Sequence, residues 1–436
     1  MKYKKTYYQI SQQVDDCVFL CSNFNNNSHI LLSKDAYTYY IDNNEDIGLV
    51  KLKQYYPSVF ERLVSNGFII EADVNEIRQL YNKRKETIED TQMYHMVINP
   101  TLDCNLSCWY CYERKVARSS MDTKITNAII KNIIFHFRKK PYSLLKLSFF
   151  GGEPFLRPLI IKQIVEGADN FCKNNNVRLL LDFTTNGTLC SPSIISFLRN
   201  YACSFQITLD GDKEQYNKIK YTQSRNFDTF STTIKNIHKI EHEIRNSYVA
   251  VRINFDKNTL ENFDGILSEL IDLDRCKTKI ILKRIWQVGS EEISKSLVSQ
   301  CLAKLFENHF VVDFYSQGGI CFADRRNQIL FNYDGNIFKC TTISNFGTNN
   351  ALGQLDLETG EIHWDPSKTK YLFQDTIAET CRNCRMLPSC GGFCQKKVAS
   401  KENLICFLTA SDLTMEEFAL IQFKISLVRE SYVNSK

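Results

Sequence analysis

Short apolar runs alternate with longer amphipathic stretches through the middle of the chain. Runs rich in β-branched and aromatic residues predict buried strands, and the stretches between them have helical spacing. This alternation predicts an α/β fold whose parallel sheet curves into a partial barrel of six β/α units. The predicted strands are His95–Ile98, Leu145–Phe149, Leu179–Phe183, Phe205–Leu209, Val249–Ile253 and Ile280–Ile285.

The chain before residue 94 has a different pattern, in which short β-rich runs are separated by Asn-rich turns. A helix and a returning strand follow, so this part predicts a small winged-helix-like module, and the charged stretch after it predicts a helical connector. The predicted strands are Tyr7–Ile10, Cys17–Cys21, His29–Leu32 and Gly67–Ile70, the helix is Pro57–Asn66, and the connector is Val74–Thr91.

Composition indicates an ordinary globular protein of 436 residues with 43% hydrophobic residues and a net charge of +5. Charge runs are short, and Arg138–Lys140 predicts a solvated helix end instead of a nucleic-acid surface. The basic start of the chain has no apolar core behind it, which is unlike a signal peptide, and no apolar run is long enough to span a membrane. We therefore expect a cytoplasmic monomer with no nucleic-acid or membrane partner.

Three cysteines, Cys104, Cys108 and Cys111, follow the first barrel strand with the spacing C-x3-C-x2-C. Three thiolates from one loop can hold three irons of a cubane cluster and leave the fourth iron open for a substrate or cofactor. Zinc and buried structural thiols are the alternatives, although the spacing fits the usual paired zinc motif poorly.

Polar and small residues follow each predicted strand, where parallel sheets gather their chemistry. After the second strand comes Gly151-Gly152-Glu153-Pro154, whose glycines allow close approach of a ligand and whose acid could pair with an ammonium group. The same four residues could equally form a strand-to-helix turn. The other strand ends carry Thr185-Asn186-Gly187, Asp210-Gly211, Asn254 and Asp256.

Together, the cysteine loop and the G-G-E-P motif resemble the radical S-adenosylmethionine (SAM) superfamily, with Tyr110 as the aromatic residue before the last cysteine. The resemblance implies that Cys104, Cys108 and Cys111 hold a [4Fe–4S] cluster and that SAM is the cofactor. Gly151, Gly152 and Glu153 would then hold the methionine amino group of SAM.

By the same resemblance, Tyr110 would lie near the adenine of SAM, and Thr208 with Asp210 would reach its ribose hydroxyls. Asn186 and Arg252 would contact the ribose and the carboxylate. Each has a plainer alternative, because Thr208 could be an ordinary strand residue and Asn186-Gly187 a turn.

Ten of the seventeen cysteines are grouped, three in the loop and seven between Cys321 and Cys406. The remaining seven, which lie mostly in apolar runs, predict small buried side chains. They are Cys17, Cys21, Cys172, Cys190, Cys203, Cys276 and Cys301.

The C-terminal group resembles the SPASM domain, because Cys340 follows a predicted hairpin turn at Asp334-Gly335 and is itself followed by C-x2-C-x5-C-x3-C. The resemblance implies two auxiliary clusters, and the second of them lacks one protein ligand. Either Asp324 or another cysteine completes that second cluster, or one iron stays open, and zinc remains the alternative for the C-x2-C pair. The first cluster would use Cys381, Cys384, Cys390 and Cys406, and the second Cys321, Cys340 and Cys394.

The N-terminal module resembles the RiPP recognition element, in which an unpaired strand edge takes a leader peptide as an extra strand. The predicted domains are a peptide-binding domain (1–85), a linker end (86–93), the barrel (94–300) and a SPASM domain (301–436). The predicted partners are a precursor peptide with a leader and a low-potential donor such as flavodoxin or ferredoxin.

These resemblances imply a peptide maturase that forms a 5′-deoxyadenosyl radical and crosslinks a peptide through a carbon–carbon or thioether bond. One alternative is an anaerobic sulfatase maturase that oxidises Cys or Ser to formylglycine. Relatives of that kind usually place an Asp after the hairpin cysteine, where this chain has Thr341. The other alternative is a zinc-stabilised binding protein.

Overall fold

The structure is a computed structural model that describes residues 2–42, 44–222, 227–285, 293–314, 319–400 and 404–433. The chain forms two compact units, each assembled from separate segments. We call them the terminal unit (1–89, 315–325 and 371–436) and the sheet unit (90–314 and 326–370).

The strands of the described residues are β1 (Tyr3–Lys5), β2 (Gln9–Asp15), β3 (Val18–Asn23), β4 (Ser28–Ser33), β5 (Ile69–Glu71), β6 (Met93–Ile98), β7 (Leu144–Phe149), β8 (Arg178–Thr185), β9 (Cys203–Thr208), β10 (Ser247–Phe255), β11 (Thr278–Arg284), β12 (Val311–Phe314), β13 (Gln328–Phe331), β14 (Asn336–Phe338), β15 (Gly353–Leu355) and β16 (Ile362–Trp364). The α-helices are α1 (Lys34–Tyr40), α2 (Glu45–Tyr55), α3 (Pro57–Ser65), α4 (Glu76–Glu89), α5 (Thr123–Lys139), α6 (Pro158–Asn175), α7 (Pro192–Leu198), α8 (Lys213–Ile219), α9 (Thr229–Glu243), α10 (Lys257–Glu261), α11 (Phe263–Leu270), α12 (Lys295–Glu307), α13 (Pro366–Thr369), α14 (Leu387–Cys390), α15 (Gln395–Ser400), α16 (Phe407–Ala410) and α17 (Met415–Val433).

The sheet unit is built on one sheet with the strand order β12-β11-β10-β9-β8-β7-β6-β13-β14-β15-β16. The six predicted barrel strands are β6 to β11, and they pair in parallel as expected. The sequence pattern did not predict β12, nor that β13, the first strand of the predicted hairpin, would pair with β6; these two strands extend the parallel run at its two sides. The α/β prediction is therefore confirmed, with a longer parallel sheet than six strands.

The predicted hairpin at Asp334-Gly335 joins β13 to β14, and Gly335 has the positive φ of 81° that such a turn requires. All four residues of β13 are buried, because this strand pairs in parallel with β6, the first barrel strand. The sheet thus contains strands from both sides of residue 300, the position at which we predicted the boundary between the barrel and the SPASM domain. The boundary stays a prediction.

Aromatic packing fills the inside of the sheet unit. The rings of Phe149, Phe183 and Phe205 stand on neighbouring strands with centroids 5.3 and 5.2 Å apart. Helix α5 ends in the exposed Arg138–Lys140, so that cluster is a solvated helix end as predicted.

The terminal unit contains the predicted small module. Strands β2, β3 and β4 form an antiparallel sheet with β3 in the centre, and β1 pairs with β5. The pattern missed β1, α1 and α2, which are short and carry mixed apolar spacing.

The N-terminal sheet shares its core with the C-terminal end of the chain. Ile10 and Phe24 lie in one buried cluster with Met386, Phe418 and Ala419. Two segments almost four hundred residues apart therefore complete one hydrophobic core.

Five of the seven scattered cysteines are buried as predicted, but Cys17 and Cys276 are exposed, so the prediction was wrong for these two. Both lie in turns, Cys17 between β2 and β3 and Cys276 just before β11, where their side chains face solvent. Among the described residues, no helix is both long and apolar enough to cross a membrane.

Candidate functional site

The cysteine loop follows β6 and is held by its own polar side chains. Thr101 donates from Oγ1 to the carbonyl of Ser119 at 2.7 Å. The two carboxylate oxygens of Asp103 accept from the backbone N–H groups of Cys104 at 2.9 Å and Arg118 at 2.8 Å. These hydrogen bonds hold the base of the loop, so the backbone that carries the three cysteines is fixed there.

The loop thiols are free; Cys104 and Cys108 are half-buried and Cys111 is exposed. Burial raises the pKa of Cys104 to about 12, with the Glu153 carboxylate adding to the effect, and burial also raises the pKa of Cys108 and Cys111. Thiolates, the form that binds iron, therefore need a positive group beside them. The donor set consequently fits an iron cluster, whose cationic irons supply that charge.

Among the described residues, no three Cys, His, Asp or Glu side chains converge on a position for a single metal ion. A cubane cluster spreads its thiolates over separate irons and does not require one common point. The loop thus brings its thiols into one neighbourhood without forming a single-ion site.

Gly151 and Gly152 lie directly against the cysteine loop. A Cβ atom on Gly151 would stand 2.3 Å from the carbonyl oxygen of Thr101, and one on Gly152 would stand 2.1 Å from that of Asp103. Gly151 also has a φ of 97°. The two glycines are needed because the end of β7 and the base of the loop touch through their backbones.

Glu153 is fully buried, and its oxygens face the end of β8. They accept hydrogen bonds from the Thr185 hydroxyl at 2.8 and 2.9 Å, the Asn186 N–H at 2.8 Å and the Phe155 N–H at 3.0 Å. Burial raises the pKa of Glu153 to about 7, although these hydrogen bonds by themselves lower it. No Lys or Arg of the described residues forms an ion pair with it, and Lys220 acts on it only from a distance, so an ammonium group of the predicted cofactor would fit beside it.

Asp210, at the end of β9, is the centre of a buried polar network. One carboxylate oxygen accepts from the backbone N–H and side-chain amide of Asn254, at 2.8 and 3.0 Å. The other accepts from the Tyr110 hydroxyl and stands 3.0 Å from the Lys220 ammonium. Lys220 also donates to the Thr208 hydroxyl.

Both charges of this pair are withdrawn from water, since Lys220 is 2% exposed and Asp210 is not exposed at all. Burial by itself lowers the pKa of Lys220, but the Asp210 carboxylate raises it well above its usual value. The ammonium is therefore a permanent positive charge behind the cysteine loop, and it opposes the rise in the pKa of Cys108.

The structure brings the eight predicted cofactor residues to one edge of the sheet unit. The side-chain amide of Asn186 lies 3.9 Å from the Cys104 sulfur, and the Arg252 Nε donates to the side-chain Oδ1 of Asn254 at 2.8 Å. Their contacts with SAM stay predictions. Sequence reasoning missed Lys220, because nothing in the sequence distinguishes it from Lys213 and Lys218 nearby.

The auxiliary cysteines divide between the two units. Cys381, Cys384, Cys390 and Cys406 all belong to the terminal unit and lie within electrostatic range of one another, and burial raises the pKa of Cys390 to about 11. This is the ligand set predicted for the first auxiliary cluster.

Cys321 and Cys394 belong to the terminal unit, and Cys340 to the sheet unit. Asp324, the predicted substitute ligand, accepts from the Gln395 N–H at 3.1 and 3.3 Å, directly beside Cys394. Its role as a ligand stays a prediction.

Comparison with known proteins identifies the central segment. Residues 98–270, which include the loop, the glycines and the Asp210 network, match the Radical SAM superfamily. The chain contains a radical SAM domain. The match of this segment implies an enzyme that uses S-adenosylmethionine and one [4Fe–4S] cluster, and the loop offers three thiols for that cluster.

Two known proteins extend the likeness beyond the radical SAM domain. The radical SAM cyclopropyl synthase TigE of Paramaledivibacter caminithermalis is 24% identical over 440 residues, covering 91% of this chain and 86% of TigE. The solved structure of native anSMEcpe with bound AdoMet and Cp18Cys peptide has a TM-score of 0.57 and 17% identity. That likeness covers 78% of this chain and 99% of the anSMEcpe chain, and it shows a shared fold.

Proposed function

We propose that this radical SAM enzyme is a peptide maturase that joins two positions of a ribosomally made precursor peptide, by a carbon–carbon or a thioether bond. The observation that supports it is the relation to TigE, a cyclopropyl synthase, over 91% of the chain. The relation therefore reaches well outside residues 98–270, into the segments where we predict peptide binding and auxiliary clusters.

In this proposal, Cys104, Cys108 and Cys111 hold the catalytic cluster. When bound, the cluster and SAM would supply a 5′-deoxyadenosyl radical that takes one hydrogen atom from an unactivated carbon of the peptide. Bond formation would then release a proton and one further electron, which an auxiliary cluster held by the C-terminal cysteines would accept. The residues of this chain orient those groups. Glu153 presents a buried carboxylate to the amino group of SAM, and the Asp210–Lys220 pair fixes Tyr110 in the loop.

Residues 1–85 would guide the leader of the precursor. Strand β4 pairs with β3 along one side, and among the described residues no strand pairs with its other side. A peptide could extend the sheet at that edge through backbone hydrogen bonds. Leu31 on β4 is 46% exposed and offers an apolar contact beside the edge.

The test is a Cys104→Ala/Cys108→Ala/Cys111→Ala variant, assayed anaerobically with SAM and dithionite for 5′-deoxyadenosine by mass spectrometry. We expect no product, because the cluster loses every protein ligand. The control is Cys17→Ala/Cys276→Ala, which removes two exposed cysteines outside the groups and should leave product formation unchanged. Product from the triple variant at the control level would refute the proposal.

Formylglycine formation is the second candidate, and the site separates it from crosslinking at one position. The residue after Cys340 is Thr341, which has no carboxylate, and its carbonyl accepts from the Tyr112 hydroxyl at 3.3 Å. From Cys, formylglycine formation exchanges the thiol sulfur for oxygen, so the mass change differs from the loss of two hydrogens in a crosslink. From Ser, both products lack two hydrogens, and reaction with a hydrazine, which labels only the aldehyde, distinguishes them.

A further inference from the structure

The terminal unit contains a cavity of about 390 Å³ that none of the predicted cofactor or cluster ligands lines. Its walls come from the turn between β3 and β4, from α4, from the segment around α14 and from α17. The volume lies in the range of about 300–1,000 Å³ that is usual for sites binding small molecules or side chains. It is therefore large enough for a ligand bigger than a single ion.

The charged side chains that line the cavity are all basic. Lys83 and Arg84 enter from α4 and Arg429 from α17, and in the part of the chain that the structure describes no Asp or Glu lines the cavity. Arg84 is 4% exposed and pairs with the Asp375 carboxylate, which neutralises it. Within the described residues neither Lys83 nor Arg429 forms a salt bridge; both are exposed, and the Lys83 ammonium donates to the Asn25 carbonyl oxygen at 3.1 Å. The cavity thus favours an anion.

One buried hydrogen-bond donor without a partner points to the same kind of ligand. The side-chain nitrogen of Gln422 is buried in the cavity wall and has no hydrogen-bond partner in the described residues. His29 is neutral, since burial lowers its pKa to about 4. A carboxylate accepts hydrogen bonds only, and so it complements an amide donor beside ammonium and guanidinium groups.

The cavity also has an apolar side, to which Leu80, Ile377 and Phe418 contribute. A free inorganic anion would leave that surface without a partner. An acidic peptide segment would use both sides, with its carboxylates on the cations and its methylene groups or a neighbouring apolar side chain on the wall.

Strand β4 leads into this cavity. His29 is the second residue of β4 and lines the cavity, while the other edge of β4 is unpaired among the described residues. We propose that the cavity binds an acidic segment of the precursor peptide, continuing from the leader strand added along β4. This inference rests on the proposed function and names the chemistry of its peptide substrate.

Fluorescein-labelled hexaglutamate is the probe, measured by anisotropy against the anaerobically purified full-length chain at low salt. Lys83→Glu/Arg429→Glu should weaken binding at least about tenfold, which corresponds to about 1.4 kcal/mol. The control Lys85→Glu/Lys424→Glu makes the same charge change on exposed positions of α4 and α17 outside the cavity, and it should leave the affinity near the wild-type value. The charge-conserving Lys83→Arg/Arg429→Lys variant should also bind normally.

Three results would overturn the inference: no binding of hexaglutamate, equal weakening by both charge-reversal pairs, or displacement by equimolar inorganic phosphate, which would indicate a free-anion site. Thermal melting of each variant confirms that it folds. Deoxyadenosine formation from SAM and dithionite is measured in parallel for each variant. Hexaglutamate binding without any SAM cleavage would refute the proposed function and leave the cavity proposal standing. SAM cleavage together with hexaglutamate binding that the cavity variants do not weaken would refute the cavity proposal and leave the proposed function standing.

Discussion

The Asp210 carboxylate accepts three hydrogen bonds, one from Tyr110 and two from Asn254, and forms an ion pair with Lys220. A buried carboxylate with so many donors is stable only while each donor stays in place. Its position after β9 was readable from the sequence as a polar residue at a strand end. Its buried partner Lys220 was not, because only the three-dimensional path of the chain after α8 returns that side chain to the sheet.

Replacing Lys220 by Met should reduce the free energy of unfolding by about 3–5 kcal/mol, the usual effect of leaving one charge of a buried pair uncompensated. Urea unfolding followed by circular dichroism measures it. Lys218→Met on the exposed side of α8 is the control and should have little effect. Combining Lys220→Met with Asp210→Asn should restore part of the loss, and no recovery in the double variant would contradict the charge argument.

At the scale of the secondary-structure elements, helices and strands meet through a few specific side chains. His136 on α5 stacks on Tyr94 of β6 with ring centroids 4.5 Å apart. Burial, with Lys139 and Lys140 adding to it, lowers the pKa of His136 from 6.5 to about 4. This contact between α5 and β6 therefore requires a neutral imidazole.

The sign of the pH dependence follows from that shift. Above pH 6.5 the ring is neutral in both states and has no effect, whereas below it the unfolded chain binds the proton first. Stability should fall as the pH decreases from 6.5 towards 4. The difference between urea midpoints at pH 7.5 and pH 5 should shrink in His136→Phe and stay unchanged in His242→Phe, an exposed control on α9. Equal shrinkage in both would argue against His136.

The open edge of β4 is a second feature at this scale. Leu31→Asp should reduce modification of the precursor by about tenfold or more, because a charge beside an added strand raises the cost of burying that edge. The product is counted by mass spectrometry at fixed time with equal enzyme. Ile77→Asp on α4, which is 62% exposed, is the matched control. An unchanged yield with Leu31→Asp would mean that the leader binds elsewhere.

At the scale of the whole molecule, the sequence predicts local patterns well and long-range partners poorly. The six barrel strands, the hairpin at Asp334-Gly335 and the cysteine loop each have a signal within about a dozen residues. The pairing of β13 with β6 has none, since a strand of four residues that begins with Gln328 does not encode which edge it will complete. The same holds for the cavity, whose cations Lys83 and Arg429 come from opposite ends of the chain.

The shared core of Ile10, Phe24, Phe418 and Ala419 has a consequence for biosynthesis. A ribosome that adds about 5–20 residues per second needs roughly 20–80 s to travel from Phe24 to Phe418. Throughout that interval the nascent N-terminal sheet keeps an apolar face uncovered. Chaperone occupancy during translation, more than the intrinsic rate of folding, should then determine how much native enzyme a cell obtains.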